Sequence, residues 1–277
     1  MTIKTLLNSI KIRFKESNIE TYSLDAQLIL CHVLNLDKIK LITNDSLVID
    51  DNNLLTIESM VIRRLNNEPM QYILGKCEFM GLMFYVNEGT LIPRSDTEIL
   101  VEEAINIIKK NNYKSAIDIG TGSGAIAISL NKYTNIAMTA VDISTKALEV
   151  AKKNAVANDA NVEFINSDLF HNVNNKYDII VSNPPYIEKN IIPTLMPQVK
   201  DFEPLLALDG GEDGLDFYKI IINDAINYIN AKGCIIFEIG YNQGLAVSNI
   251  LKDNGYTNIS VIKDLAGLDR VVVGYKG

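Results

Sequence analysis

Histidine and cysteine are scarce in this chain, with two of the first and three of the second in 277 residues. His32 and His171 are too few for a His-built metal centre and argue against a Ser-His-Asp triad. His32 follows Leu30 and Cys31 on an apolar helical stretch and reads as structural. Cys31, Cys77 and Cys234 are widely separated, odd in number and in no C-x-x-C pair, so they indicate core thiols rather than a disulfide framework or a thiolate zinc site. No stretch approaches the ~18 uncharged apolar residues of a membrane helix. The first twenty residues interleave Lys and Arg with apolar side chains and lack both an apolar core and a small-residue cleavage site, so a cytoplasmic protein is expected. Positive charge is also short. The net charge is −8, of which residues 1–75 contribute −1 and the remainder −7. Nucleic-acid backbones are usually bound by basic surfaces that displace counterions, and neither part has that balance. The doublets Arg63-Arg64, Lys109-Lys110 and Lys152-Lys153 read as solvated helix faces.

What is present is a periodicity that changes along the chain. Residues 1–75 show helical spacing only, over Thr2 to Ser17, Ser23 to Asn35 and Asp50 to Asn67, with Ser23 and Asp50 as expected caps and Pro69 as the stop of the last helix. From Cys77 to Asn87 the pattern alternates, with Gly81 at the turn, which predicts a hairpin linker over residues 76–93. Residues 94–277 then read as α/β. A helix begins near Asp96, and strands are expected at Ser115 to Gly120, Ala137 to Asp142, Val162 to Asn166, Tyr177 to Ser182, Gly233 to Ile239, Ser260 to Lys263 and Arg270 to Tyr275. Only Asp264 to Asp269 separates the last two, too little for a crossover helix, so the final strand returns antiparallel. An open Rossmann-like sheet of seven strands closed by an antiparallel hairpin resembles the class I S-adenosylmethionine-dependent methyltransferase fold more than a dinucleotide-binding dehydrogenase.

The first chemical motif, Asp118-Ile-Gly120-Thr121-Gly122-Ser123-Gly124, links a strand end to a helix start. Glycines there let backbone pass close to a ligand, and the helix N-terminus offers free N–H groups. With Ala125 the segment also satisfies the dinucleotide fingerprint, so alone it separates neither NAD from S-adenosylmethionine nor either from a tight turn. Asp142, closing the second strand, is placed to accept from both ribose hydroxyls. Asp118 discriminates: a carboxylate there faces the ammonium of a methionine moiety and would repel a pyrophosphate. Asp168 is placed for an adenine amino group, with Leu169 and Phe170 as apolar contacts, although a surface Asp has the same spacing.

Asn183-Pro184-Pro185-Tyr186 ends an apolar strand at the carboxyl edge, where α/β ligands bind. An amide or aromatic amino nitrogen is a poor nucleophile because its lone pair is delocalised. Two fixed acceptors on its NH₂ hydrogens can draw it towards tetrahedral geometry and aim the lone pair at a methyl group. The Asn183 side-chain oxygen and the Pro184 carbonyl suit that role. The prolines fix φ and offer no competing N–H, and Tyr186 presents a flat face for a planar group. A Pro-Pro turn that merely closes a strand is the alternative reading of these four residues alone.

These landmarks resemble the bacterial peptide chain release factor glutamine N5-methyltransferases over essentially the whole chain. They are Pro69 to Gly75, Leu91 to Glu98, Asp118 to Gly124, Asn183 to Tyr186, Glu203-Pro204 with Ala207-Leu208, Gly211 to Leu215, and Lys263 to Arg270. The resemblance implies a small all-helical N-terminal domain (residues 1–75) that helps dock a class 1 release factor, the hairpin linker and a methyltransferase domain acting on the glutamine of a Gly-Gly-Gln loop. Gly120 to Gly124, Asp142, Leu169 and Asn183 would touch S-adenosylmethionine, and Asn183 to Tyr186 would hold the glutamine amide. It implies release factors as partners; composition and charge lead to the expectation of no metal, no membrane and no direct nucleic-acid substrate, and a monomer is expected. Leu169 stands where the family often has Trp beside the adenine, and Ser95 where it often has Pro. Arg94, Asp96 and Glu98, just before a helix, read at least as readily as a capping and salt-bridge cluster as they do as substrate contacts. An enzyme methylating adenine or guanine amines remains the alternative, because the Asn-Pro-Pro-Tyr element occurs there too.

Overall fold

The computed structural model describes residues 1–277, which divide into two compact units. The first comprises Met1–Gly75 together with Pro197–Phe202, and the second comprises Lys76–Met196 and Glu203–Gly277.

The first unit is helical: α1 (Ile3–Glu16), α2 (Tyr22–Leu34), α3 (Lys38–Thr43), α4 (Asp51–Leu65) and α5 (Met70–Leu74). Ile3, Leu6, Ile10 and Phe14 of α1 recur on one face and pack with Ile29 and Leu30 of α2 and Ile57 and Val61 of α4. The Asp50 side chain caps α4, accepting from Asn53 N at 2.9 Å. Ser23 is not a cap. Helix α2 already begins at Tyr22 after Thr21, whose hydroxyl donates to Asp25 at 2.7 Å. Nor does Pro69 end the long helix; α4 stops at Leu65 with Asn66 at its C-cap, and Pro69 leads into α5. The short helices α3 and α5 hold too few residues to show a periodic pattern. His32 is exposed, and Cys31 and Cys77 are only half-buried, so Cys234 alone is a core thiol.

In the second unit a hairpin, β1 (Lys76–Phe79) and β2 (Leu82–Tyr85), turns at Met80 and Gly81, both with positive φ. That pair of left-handed residues makes the tight turn whose twist matches the strands. Then follow α6 (Ser95–Asn111), β3 (Ser115–Ile119), α7 (Ala125–Thr134), β4 (Ala137–Asp142), α8 (Thr145–Ala157), β5 (Val162–Asn166), β6 (Tyr177–Ser182), α9 (Pro197–Lys200, within the first unit), α10 (Asp216–Ala225), β7 (Ile229–Glu238), α11 (Gly244–Asp253), β8 (Tyr256–Lys263) and β9 (Asp269–Lys276). The sheet order is β5-β4-β3-β6-β7-β9-β8, and β9 alone runs antiparallel to its neighbours.

Alternate residues of the central strands feed two cores, as a sheet covered on both faces requires. Ala116, Ile179, Val181, Cys234 and Ile236 face α6 and α7. Ile117, Ile180, Ile235 and Phe237 face α10 and α11. Each fully buried Ile or Phe contributes roughly 1.5–3 kcal/mol. Apolar pressure therefore fixes the strand register, and register decides which residues meet at the carboxyl edge.

In the helical unit, Arg64 and Asp25 form a buried ion pair, Nε to Oδ2 at 2.7 Å, and Arg64 Nη1 also donates to the Glu68 carbonyl at 3.2 Å. Removing one member leaves the other charge buried and unpaired. Arg64→Ala is expected to lower unfolding stability by about 3–5 kcal/mol, read as a drop in the urea midpoint of the full chain.

Candidate functional site

Register assembles the site. Ile119 of β3 lies level with Val141 of β4 on one side and with Ser182 of β6 on the other, and Ser182 is level with Phe237 of β7. The residues that follow, Gly120, Asp142, Asn183 and Glu238, therefore stand side by side along the carboxyl edge. Ser182 Oγ donates to the Ile119 carbonyl at 2.7 Å and ties the glycine loop's origin to that of the Asn-Pro-Pro-Tyr segment.

Gly120 N and Thr121 N both donate to the Val141 carbonyl at 2.9 Å, bending the chain off β3. Gly122 adopts φ 55°, and a Cβ there or at Gly120 would meet nothing within 4 Å: both glycines border open space that a ligand can enter. Gly124 has a different task. A Cβ there would come within 2.9 Å of Ile128 and 3.1 Å of the Ala151 Cβ, so its bareness lets α7 pack closely on α8. Asp142 spans the loop, accepting from Gly122 N at 2.8 Å and Ser144 N at 2.9 Å. Burial pushes its carboxyl up, opposed by these backbone donors.

Asp118 is fully buried; its Oδ2 accepts from Thr121 Oγ1 at 2.6 Å, and its Oδ1 has no partner in the protein. Burial drives its pKa to about 7, against the Thr121 hydrogen bond and with a smaller push from Asp142. A buried carboxylate oxygen without a donor is costly unless a ligand supplies one.

Beyond β5, Asp168 is exposed, and Leu169 has φ 45°. Such a backbone costs about 1–3 kcal/mol for a branched side chain and marks functional segments. It is held by Ser167 Oγ donating to the Leu169 carbonyl at 2.9 Å and by Asn172 N donating to Ser167 Oγ at 2.9 Å. Phe170 does not contribute to a ligand surface as expected. It is buried and stacked on Tyr228 at 4.6 Å, because the ten-residue link from β5 to β6 has no helix and uses this ring to cover the sheet.

Asn183 Nδ2 donates to Thr97 Oγ1 at 3.3 Å, which leaves Oδ1 as the acceptor for a substrate. Pro184 is buried and Pro185 half-buried. Tyr186 donates its hydroxyl to Glu238 Oε1 at 3.3 Å, and burial raises its pKa. Gln243 then clamps the segment's exit: Nε2 donates to the carbonyls of Tyr186 and Gly214, each at 3.1 Å, while Oε1 accepts from Gly240 N at 2.9 Å. A short parallel bridge from Ile187 to Asp209 continues the restraint, and Gly210 allows it, since a Cβ there would lie 2.7 Å from the Tyr186 Cα.

The segment at the start of α6 acts residue by residue. Arg94 pairs with buried Glu203, Asp96 with Arg270 at 3.2 Å, Thr97 with Asn183, and Glu98 accepts from Met80 N at 2.6 Å in the hairpin turn. The charged members of this segment are structural braces. Thr97, Glu238 and Gln243 were missed by sequence reasoning. Glu238 alone carried a signal, a carboxylate closing an apolar strand as Asp142 does.

Residues 96–197 match the family model described as the methyltransferase small domain, and residues 5–75 match the PrmC N-terminal domain. A release factor glutamine methyltransferase of Clostridium acetobutylicum is 44% identical over 100% of this chain and 99% of its own length. This chain belongs to the release factor glutamine methyltransferase family. A second member, from Fusobacterium nucleatum, is 43% identical over 95% of this chain and 75% of its own length. Among solved structures, a methyltransferase from Pyrococcus furiosus superposes with a TM-score of 0.54 at 18% identity, covering 82% of this chain and all of that one. A 16S rRNA N2 G1207 methyltransferase from T. thermophilus, solved with AdoMet and guanosine, gives 0.52 at 14% identity, covering 73% and 50%. The fold is the class I methyltransferase fold.

A sulfonium amino acid nucleoside fits the residues present. The cradle at Gly120 and Gly122 is open, Asp118 Oδ1 awaits a donor, and Asp142 lies one strand away with its ring of backbone donors. The cradle is braced by Asn154 of α8, whose Oδ1 accepts from Tyr85 N at 2.6 Å and whose Nδ2 donates to the carbonyls of Tyr85 and Ser123 at 2.9 Å. Asn154→Ala leaves three backbone groups unpartnered and is expected to destabilise the chain by about 1–3 kcal/mol. Hydrogen exchange should quicken in residues 120–124 and 84–86 and not in β7.

Proposed function

We propose that this chain transfers a methyl group from S-adenosylmethionine to the side-chain amide nitrogen of the glutamine in the Gly-Gly-Gln motif of class 1 peptide chain release factors, with the helical unit helping to dock the factor. The observation that carries the reading is the orientation of Asn183. Its NH₂ is committed to Thr97, and its oxygen is left as an acceptor beside the glycine loop on the adjoining strand.

In this reading S-adenosylmethionine supplies an electrophilic methyl on a sulfonium that departs as a neutral thioether. Asp118 Oδ1 and the Asp142 carboxylate hold its ammonium and ribose ends, Gly120 to Gly124 line its path, and Leu169 covers the adenine with Asp168 near its edge. Asn183 Oδ1 and the Pro184 carbonyl accept the two amide hydrogens and steer the nitrogen lone pair towards the methyl carbon. Tyr186, steadied by Glu238 and Gln243, flanks the planar amide, and Pro185 keeps the segment rigid. The N–C bond forms as the S–C bond breaks; the nitrogen becomes cationic and then loses a proton to water, so no base is needed before transfer. The net charge of −8 supports a protein substrate over a nucleic acid.

Mass spectrometry of a release-factor digest after incubation should show one added methyl group on the Gly-Gly-Gln glutamine. Label appearing in tRNA or DNA and not in the factor would overturn the reading. Asn183→Ala should lower kcat by about a hundredfold or more while calorimetric affinity for S-adenosylmethionine stays close to wild type.

Asp118 gives a pH signature. Its raised pKa means that it is ionised above about 7 and neutral below. Only the ionised form attracts an ammonium, so wild type should bind S-adenosylmethionine more tightly than Asp118→Asn at pH 7.5. That advantage should shrink as the pH falls to about 5.5, where protonated Asp118 carries no more charge than Asn. Parallel calorimetric titrations of the two proteins provide the comparison.

A further inference from the structure

Residues 203–210 form a strap moored at both ends to segments that carry the substrate site. At one end buried Glu203 pairs with Arg94, which stands three residues ahead of Thr97, the partner of Asn183. At the other end the Leu208 carbonyl accepts from Ile187 N at 3.0 Å, and the Ile187 carbonyl accepts from Gly210 N at 2.9 Å. Ile187 is the residue after Tyr186. The strap is thus tied to the segment that holds Asn183 and to the exit of the Asn-Pro-Pro-Tyr turn.

Between the moorings Leu205–Ala207 make one 3₁₀ turn. Ala207 N donates to the Pro204 carbonyl at 2.9 Å, and Leu208 N and Asp209 N both donate to the Leu205 carbonyl at 3.0 Å, so the turn has a fixed shape. Leu208 is buried and supplies its packing. Leu205 and Leu206 are 59% and 57% exposed. Two adjacent apolar side chains held in water gain nothing within the chain, whereas loops fixed beside a site are where partners are met.

The chemistry of the site explains what such a surface adds. Asn183 Oδ1 and the Pro184 carbonyl can grip only a primary amide, and the two glycines ahead of the glutamine have no side chains to hold. Any glutamine would suit those acceptors equally. Affinity for one protein must therefore come from contacts farther from the reacting nitrogen. Glu212 and Asp213, exposed just beyond the strap, add negative charge that repels a nucleic-acid backbone and leaves a polypeptide as the occupant.

We propose that Leu205 and Leu206 form an apolar lip at the substrate end of the site, on which the release factor seats residues outside its Gly-Gly-Gln motif. The inference rests on the methyl-transfer reading given above. The lip takes no part in methyl transfer itself. Its contacts are made alike before and during the reaction, so their loss weakens capture of the factor and leaves turnover of the bound factor unchanged.

The test measures initial rates with the full chain, intact release factor and saturating S-adenosylmethionine. Leu205→Ser and Leu206→Ser combined in one protein should raise KM for the factor by about tenfold or more. In that variant kcat and calorimetric affinity for S-adenosylmethionine should stay within about twofold of wild type, and the urea midpoint should not move, because neither side chain belongs to the core. Leu205→Met combined with Leu206→Met, which keeps size and apolar character, should retain the wild-type KM. Leu265→Ser, at a fully exposed leucine between β8 and β9, is the control and should leave KM alone. An unchanged KM in the double-serine protein, a loss confined to kcat, or an equal rise in KM for Leu265→Ser would overturn the proposal. So would a wild-type dimer in sedimentation that the two serines dissolve, since a second copy would then be the occupant. Failure of the methyl-transfer reading would show separately, as wild type leaving the factor unmodified. The lip is then read from fluorescence anisotropy of labelled release factor: a dissociation constant raised about tenfold by the two serines supports it, and an equal one overturns it.

Discussion

Ile119 and Ser182 are level across the β3–β6 pair, and a 2.7 Å hydrogen bond from Ser182 Oγ to the Ile119 carbonyl holds the two strand ends at one height. Everything reactive is reached by continuing from those ends. One turn opens into the glycine cradle and the other into Asn183. Adjacent parallel strands lie roughly 4.8 Å apart, so the glycine turn and the Asn183 turn are immediate neighbours, and in the proposed function a methyl donor on the first would lie beside an acceptor on the second. A register slip of one residue would exchange the two faces of β6 and bury Asn183, which is why Ile179, Ile180 and Val181 matter to the chemistry although none touches it.

The start of α6 is the second organiser. Four of its first residues or their immediate predecessor reach four different destinations: the segment beyond the Asn-Pro-Pro-Tyr turn, the β8–β9 end, Asn183 itself and the hairpin turn. Most of these are charged and look from sequence like an ordinary helix-leading cluster. In space they behave as stays rigged from one mast, and the polar one among them, Thr97, is the stay that meets the site.

Several strand ends were legible because mainly apolar stretches give way to polar residues there, as at Asp142, Ser182-Asn183 and Glu238, and a doubly covered sheet favours such stretches. The antiparallel return of β9 was legible from the shortness of the link before it. The hairpin showed itself by alternation around Gly81. What sequence reading missed follows from distance or brevity. Thr97 lies 86 residues from Asn183, and Glu238 meets Tyr186 across 52; no local pattern announces such a meeting. Helices α3 and α5 are six and five residues long, below what periodicity can resolve. Phe170 looked available to a ligand because it follows Asp168 and Leu169 beyond a strand end, yet in the helix-free link it is buried and stacked on Tyr228.

The helical unit takes in Pro197–Phe202, although those residues lie in sequence between β6 and α10. The chain therefore passes from the second unit to the first at Pro197 and returns at Glu203, in the stretch that follows the Asn-Pro-Pro-Tyr segment. No single cut separates the two units. A fragment beginning at Lys76 would carry residues 197–202 without the packing partners they have in the whole protein, and it would lose them from the very loop that leads away from Tyr186. A replacement of residues 1–75 alone would therefore leave residues 197–202 facing a surface they do not pack with in this chain.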